Sequence, residues 1–289
     1  MNKILVTGAT GHLGSKVIET LLRKIPSSQI SIITRKEEKR AEFETKGFNA
    51  FIGSYDDTAS LEKAMSGIDT VLLISSGDQG DRMQEHKNVV DAAKKIGVKQ
   101  IAYTSRSLRD RNTLANKLMV EHFQTEDYIK ASGLKYIFFR NILYMDAIPQ
   151  FIGGTAALER GINLPAGEGR VAFALRSEMG EAMANVSLNE KFENNIYNFT
   201  GDKTYSFYDI ATALSELSGK EVKYNNVDAN VFSGMMKQRN VPEPAIQKII
   251  DFITDIKQNQ EAEITNDLEI KLGRKPTGLK DGLKQLFEL

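Results

Sequence analysis

Lys3-Ile4-Leu5-Val6-Thr7-Gly8-Ala9-Thr10-Gly11-His12-Leu13-Gly14 is the stretch whose reading decides the fold. Residues 3–7 form a short apolar run that reads as a strand buried on both faces, and the amphipathic residues 13–24 read as a helix. Between them Gly8, Gly11 and Gly14 space a Gly-x-x-Gly-x-x-Gly loop. Such a loop allows a tight turn, lets backbone approach a pyrophosphate, and packs helix closely on strand, while the positive end of the helix faces the phosphates. A purely structural turn also uses glycine, but a strand before the loop and a helix after it favour a dinucleotide site. His12 is expected to face solvent from the loop.

Outward from this loop the same rhythm repeats. Strands are predicted at 29–34, 49–53, 70–74, 100–105 and 135–140, and helices at 37–46, 58–66, 83–96 and 114–132. Gly47, Gly67, Gly97 and Gly133 each follow one of these helices, where a left-handed cap needs a residue without Cβ. Strand, helix, glycine and strand in this order imply right-handed crossovers and a doubly wound parallel α/β sheet of Rossmann type. After Asn141 the rhythm changes: 153–169 is rich in Gly and Ala, 182–189 reads as helix, 196–200 as a returning strand, and 207–218, 229–238, 243–258 and 279–287 as helices. The expected division is a dinucleotide-binding domain of residues 1–145 plus about 176–204, and a smaller, mostly helical lobe of 146–175 and 205–289 on the sheet's carboxyl edge.

The second strand selects the dinucleotide. An NAD site places Asp or Glu about 20 residues beyond the loop for the ribose 2′-hydroxyl; here Arg35 follows Ile33-Thr34 and precedes Lys36. A guanidinium grips a 2′-phosphate that a carboxylate would repel, so NADPH is preferred. Alternatively Arg35 and Lys36 are surface charges opening the next helix, although cations are unfavourable in a first helical turn.

Composition narrows the chemistry. The 289 residues carry 38 basic and 38 acidic side chains, so the net charge is zero, which disfavours nucleic-acid and anionic-membrane partners. No cysteine is present and the three histidines, His12, His86 and His122, are far apart, which disfavours thiol chemistry and a histidine-rich metal site. The apolar run Ile4-Leu5-Val6 is too short for a secretory signal and no stretch would span a bilayer, so a cytoplasmic protein is expected.

Gly8-Ala9-Thr10-Gly11-His12-Leu13-Gly14, Ile33-Thr34-Arg35, Leu73-Ile74-Ser75-Ser76, the 86–93 segment, Ile101-Ala102-Tyr103-Thr104-Ser105 and Phe139-Arg140-Asn141 together resemble the NmrA-like group of atypical short-chain dehydrogenases, on the side of its quinone and triphenylmethane-dye reductases. The likeness runs through nearly the whole chain, including Val241-Pro242-Glu243-Pro244 and Leu272-Gly273-Arg274-Lys275-Pro276. It implies that Gly8, Ala9, Thr10, Gly11, His12 and Leu13 hold the pyrophosphate and Arg35 the 2′-phosphate. Ser75, Ser76 and Gly77 would line the adenosine ribose. Ser105 with Phe139, Arg140, Asn141, Ile142, Leu143 and Tyr144 would border the nicotinamide and its ribose.

A proton donor for an ordinary carbonyl reductase is missing. Those enzymes use a Tyr-x-x-x-Lys pair on one helical face, yet none of the nine tyrosines has lysine four residues later; Tyr103 is followed by Ser107, Tyr128 by Ser132 and Tyr136 by Arg140. If the Thr125-Glu126 region aligns with the family helix, Leu118 and His122 take the two positions. Hydride addition to a quinone gives a phenolate-like anion that water can protonate, since a phenol has a pKa of about 10. The expectation is therefore an NADPH-dependent reductase of quinones or similar planar acceptors, needing neither flavin nor metal, with homo-oligomerisation possible. Ser105 and His122 are the candidates to hydrogen-bond a quinone oxygen, and Tyr144, Met145, Phe151 and Phe173 to form a flat apolar slot, although such side chains also serve as core. His86 reads as structural. A dinucleotide-sensing regulator without turnover is the alternative; a nucleotide-sugar epimerase is disfavoured by the missing Tyr/Lys pair.

Overall fold

The computed structural model describes residues 2–77, 80–188 and 191–289. Its first half alternates β1 (Ile4–Val6), α1 (His12–Leu22), β2 (Ile30–Thr34), α2 (Glu37–Thr45), β3 (Asn49–Ile52), α3 (Thr58–Met65), β4 (Thr70–Leu73), α4 (Arg82–Ile96), β5 (Gln100–Arg106), α5 (Lys117–Ser132) and β6 (Lys135–Asn141). The strands pair in parallel in the order β3-β2-β1-β4-β5-β6, and β9 (Asn195–Phe199) adds a seventh beside β6. This is the doubly wound sheet that the alternation predicts. Chain order reverses between β1 and β4, where strand ends splay and leave a crevice.

Alternation along each strand divides the core. Ile4 and Val6 face one layer with Leu72, Phe139 and Phe199, whereas Leu5 faces the other with Val71, Leu73, Tyr103 and Phe138. The helices end where the glycines were expected to stop them: Gly47, Gly67, Gly97 and Gly133 have φ of 82°, 72°, 82° and 83°.

The second half holds α6 (Ile148–Ile152), α7 (Ala157–Arg160), β7 (Ile162–Leu164), β8 (Arg170–Val171), α8 (Arg176–Ser187), then after β9, β10 (Tyr205–Ser206), α9 (Phe207–Ser218), β11 (Tyr224–Asn226), α10 (Ala229–Gln238), α11 (Glu243–Lys257), α12 (Asp267–Leu272) and α13 (Leu279–Phe287). Two small sheets, β8 antiparallel to β10 and β7 parallel to β11, were not anticipated, because runs of two or three residues carry no readable period. The core layer containing Ile4 continues unbroken into Ile148, Phe207, Leu214, Ile253 and Leu283 of this half.

Two helix starts differ from the sequence expectation by more than one residue. The helix expected at 114–132 begins at Lys117, because Asn116 caps it by accepting the Leu118 N–H at 3.1 Å, while the Asp255 carboxylate accepts the N–H groups of Ala115 and Asn116 at 2.7 and 3.0 Å. The helix expected at 182–189 begins six residues earlier, at Arg176, with Glu178 in its first turn; Asn189 lies outside the described residues. No helix among the described residues is long and apolar enough to cross a membrane.

Candidate functional site

A cavity of about 450 Å³ opens at the carboxyl ends of β1 to β4. Gly8 and Thr10 line it from the loop after β1, Thr34 and Arg35 from the end of β2, Gly53 to Asp56 from the loop after β3, and Ile74 to Gly77 from the segment after β4; Gly80 and Glu85 close it from the start of α4.

The glycine loop is shaped for close approach. Gly8 has φ +61°, a left-handed conformation that L side chains rarely adopt. A Cβ on Gly14 would sit 2.3 Å from the Gly8 carbonyl oxygen, so only glycine lets α1 start so near the loop. Gly11, with φ −82°, is exposed, and a Cβ there would meet only the Gly8 oxygen, at 3.3 Å. His12 is exposed at the first position of α1, whereas Ala9 and Leu13 are buried beneath the loop.

Hydrogen bonds fix the cavity walls. Thr7 Oγ1 accepts the Ile74 N–H at 3.0 Å, and the Tyr55 hydroxyl lies 2.6 Å from Thr7 Oγ1 and 2.7 Å from the Ile74 carbonyl. Burial raises the Tyr55 pKa, so its phenol stays protonated. The Ser75 N–H donates to Thr104 Oγ1 at 2.8 Å. Both sides of Ser76 are held from α4: its N–H donates to His86 Nε2 at 3.1 Å, and its carbonyl accepts from Arg82 Nε at 3.2 Å. His86, its pKa lowered to about 3 by burial and then by Arg82, is neutral, with Nδ1 2.9 Å from Thr125 Oγ1. Because Nε2 accepts, Nδ1 carries the proton.

Several polar side chains that line the cavity have no protein partner among the described residues, and three of them bear on what it could hold. Ser76 Oγ and Glu85 Oε2 are buried and make no hydrogen bond among the described residues. Arg35 is exposed and forms no ion pair among the described residues, although arginines elsewhere in the chain, such as Arg40 and Arg140, sit on carboxylates. An unpaired guanidinium beside a left-handed glycine loop suits a dianionic phosphate. The cavity, loop and cation together fit a phosphorylated dinucleotide.

Several residues singled out from sequence lie elsewhere. Ser105 Oγ donates to Glu126 Oε1 at 2.6 Å, and Arg140 holds the same carboxylate through Nε at 2.9 Å and Nη2 at 2.6 Å. His122 is buried, with Nδ1 2.9 Å from the Tyr103 hydroxyl, and burial together with Arg82 and Arg106 holds its pKa well below the ordinary value. Phe139 is buried in the core in a mutual cluster of stacked rings with Phe199 and Tyr197, and Ile142 and Leu143 are buried. Asn141 Nδ2 donates to the Tyr144 hydroxyl at 3.3 Å, while the Arg176 guanidinium lies 4.8 Å from the Tyr144 ring centroid. Of the four slot candidates, Tyr144 and Phe151 are half-buried, and Met145 and Phe173 belong to the core.

Thr7, Tyr55, Arg82 and Glu85 were missed. The fold itself contained a signal for Tyr55, since the end of the third strand must reach the same crevice as the ends of the first and second. No group of three His, Asp or Glu side chains among the described residues could hold a metal ion.

Comparison with known proteins finds relatives that match along nearly the whole chain. The chain is 33% identical over 287 residues to quinone oxidoreductase 2 of Escherichia coli K12, covering 99% of both. The crystal structure of the NADPH-dependent quinone oxidoreductase of E. coli in complex with NADPH superposes with a TM-score of 0.91 at 33% identity, covering 98% of this chain and 99% of that one. The Citrobacter sp. triphenylmethane reductase complexed with NADP(H) gives a TM-score of 0.90 at 34% identity, with 98% and 99% covered. Residues 1–288 match the NmrA-like family, and the chain belongs to it.

Proposed function

We propose that this protein is an NAD(P)H-dependent oxidoreductase that prefers NADPH and passes hydride to quinones or similar planar acceptors. The observation that carries the reading is Arg35, without a carboxylate partner at the rim of the cavity entered by the Gly8 loop. Likeness to a quinone reductase and a dye reductase along almost the full chain supports it.

In this reading the backbone of Gly8 to Leu13 and the N-terminus of α1 hold the pyrophosphate. Arg35 grips the 2′-phosphate, and Ser75, Ser76 and Gly77 line the adenosine ribose. The segment from Asn141 to Tyr144 borders the nicotinamide end. When bound, NADPH supplies a hydride. The residues orient the acceptor and keep the site ordered; none is required to donate a proton, since the Ser105 hydroxyl is engaged by Glu126 and His122 is neutral and buried. Water completes protonation of a hydroquinone anion, whose basicity is that of a phenolate.

The test is a titration with NADPH and NADH, followed by acceptor panels of benzoquinones, naphthoquinones and triphenylmethane dyes. Tighter NADPH binding with acceptor-dependent oxidation supports the proposal. Tight binding without turnover on any acceptor contradicts it and favours a dinucleotide-sensing role.

A further inference from the structure

The carboxyl ends of β5 and β6 carry a second set of unsatisfied polar atoms, outside the cavity described above. Arg106 and Asn141 are register partners, and the Ser107 N–H donates to the Asn141 carbonyl at 3.0 Å. Arg106 Nε, Ser107 Oγ and Asn141 Oδ1 are all buried and lack a hydrogen-bond partner among the described residues. Ser107 is 2% exposed and Asn141 1%. A buried donor or acceptor left unpaired costs more than a typical hydrogen bond returns, so two donors, Arg106 Nε–H and the Ser107 hydroxyl, and one acceptor, Asn141 Oδ1, at adjacent strand ends call for a ligand.

Arg106 is held in place by other residues. Its Nη2 is paired with Glu261, whose second oxygen accepts the Leu143 N–H at 2.9 Å, and the guanidinium lies 5.9 Å from the centroid of Phe252. Phe252 in turn stacks on Phe151 at 5.4 Å. Apolar ring faces therefore adjoin a polar end whose charge is already matched by Glu261, with Arg106 Nε–H and the Ser107 hydroxyl left to donate.

We propose that Arg106 and Ser107 select the acceptor, donating hydrogen bonds to a carbonyl oxygen that becomes negative as the acceptor is reduced, so that neutral quinones are used in preference to cationic dyes. The inference rests on the oxidoreductase reading above. NADPH is oxidised by two electrons to NADP⁺; the quinone gains the hydride, becomes a hydroquinone monoanion, and takes its second proton from water. Donors aimed at the oxygen where charge develops stabilise that anion most in a site shielded from water. A delocalised cation without such an oxygen offers nothing to these donors, so it gains none of this stabilisation.

Two variants test the proposal. The pair Arg106→Met with Glu261→Gln removes both charges together, and Ser107→Ala removes a hydroxyl that bonds to nothing in the free protein. For each, kcat/KM is measured with a benzoquinone and with a cationic triphenylmethane dye, alongside the NADPH dissociation constant. A separate titration follows p-nitrophenol, whose ionised form is coloured, in the presence of protein and NADP⁺. Expected are a loss of about 10- to 100-fold in quinone kcat/KM for the paired variant and a smaller loss for Ser107→Ala. Dye reduction is unchanged or faster, and NADPH affinity is retained. Wild-type protein lowers the pKa of bound nitrophenol, and both variants diminish that shift. Equal losses on quinone and dye, or an unshifted nitrophenol titration in the wild type, would overturn the proposal. No NADPH oxidation by the wild type with any acceptor would instead overturn the oxidoreductase reading beneath it.

Discussion

Ser105 Oγ sits 2.6 Å from Glu126 Oε1, a carboxylate with 0% exposure that also carries Arg140. The hydroxyl that the sequence offers as a partner for a quinone oxygen is thus engaged by the carboxylate of an ion pair. Ser105→Ala should lower stability by about 1–3 kcal/mol and leave kcat with a quinone within about threefold of wild type. Chemical denaturation and steady-state kinetics on the same sample check this, and a loss of turnover without a loss of stability would restore Ser105 to the chemistry.

Arg35→Asp replaces the unpaired cation with a group that repels a 2′-phosphate. NADPH affinity should fall by about 10- to 100-fold, the worth of a paired charge-assisted hydrogen bond, while NADH affinity holds or improves. Fluorescence titration with both dinucleotides measures the preference directly. An unchanged ratio would remove Arg35 from the phosphate site.

Gly11 and Gly14 should respond differently to a side chain. A Cβ on Gly11 meets only one oxygen, at 3.3 Å, so Gly11→Val is expected to fold and to lose dinucleotide binding as its side chain occupies the pyrophosphate position. A Cβ on Gly14 collides with backbone at 2.3 Å, so Gly14→Ala should destabilise the protein by about 1–3 kcal/mol. Melting curves together with NADPH titration separate the two outcomes.

His86 and His122 make stability sensitive to acid. Both are held neutral in the folded protein, His86 with a pKa of about 3 and His122 well below the ordinary value. In the unfolded chain a histidine gains a proton below about pH 6.5, so between that pH and the folded-state pKa the unfolded state binds more protons. Stability is therefore retained above pH 6.5 and falls on acidification, by up to about 1.4 kcal/mol per pH unit for each histidine. Urea unfolding at pH 7.5, 6 and 5 should show a shallower acid loss in His86→Asn than in wild type. Identical slopes would mean that His86 is not held neutral.

How far the sequence could be read follows from how far apart the deciding atoms lie. The loop from Gly8 to Gly14 and the caps at Gly97 and Gly133 depend on backbone geometry within a few residues, and Arg35 on a separation of about 20 residues from that loop, so spacing alone pointed to them. The destinations of Ser105, His122 and Arg140 depend on Glu126 and Tyr103, which come within reach only when α5 packs on the sheet. The segment 106–116 is harder still. It is anchored by Asp255, Gln260 and Glu261, about 150 residues later, and no local pattern announces those partners. Short strands such as β8 and β10 exist only because they pair with each other.

The central claim is hydride transfer from NADPH to a quinone, and the most direct measurement mixes purified protein with NADPH and a benzoquinone and follows the near-ultraviolet absorbance of the reduced nicotinamide, with NADH in a parallel trace. Rapid, protein-dependent loss of NADPH absorbance with slower loss for NADH is the predicted result. Tight NADPH binding with no absorbance change across the quinone panel would contradict it.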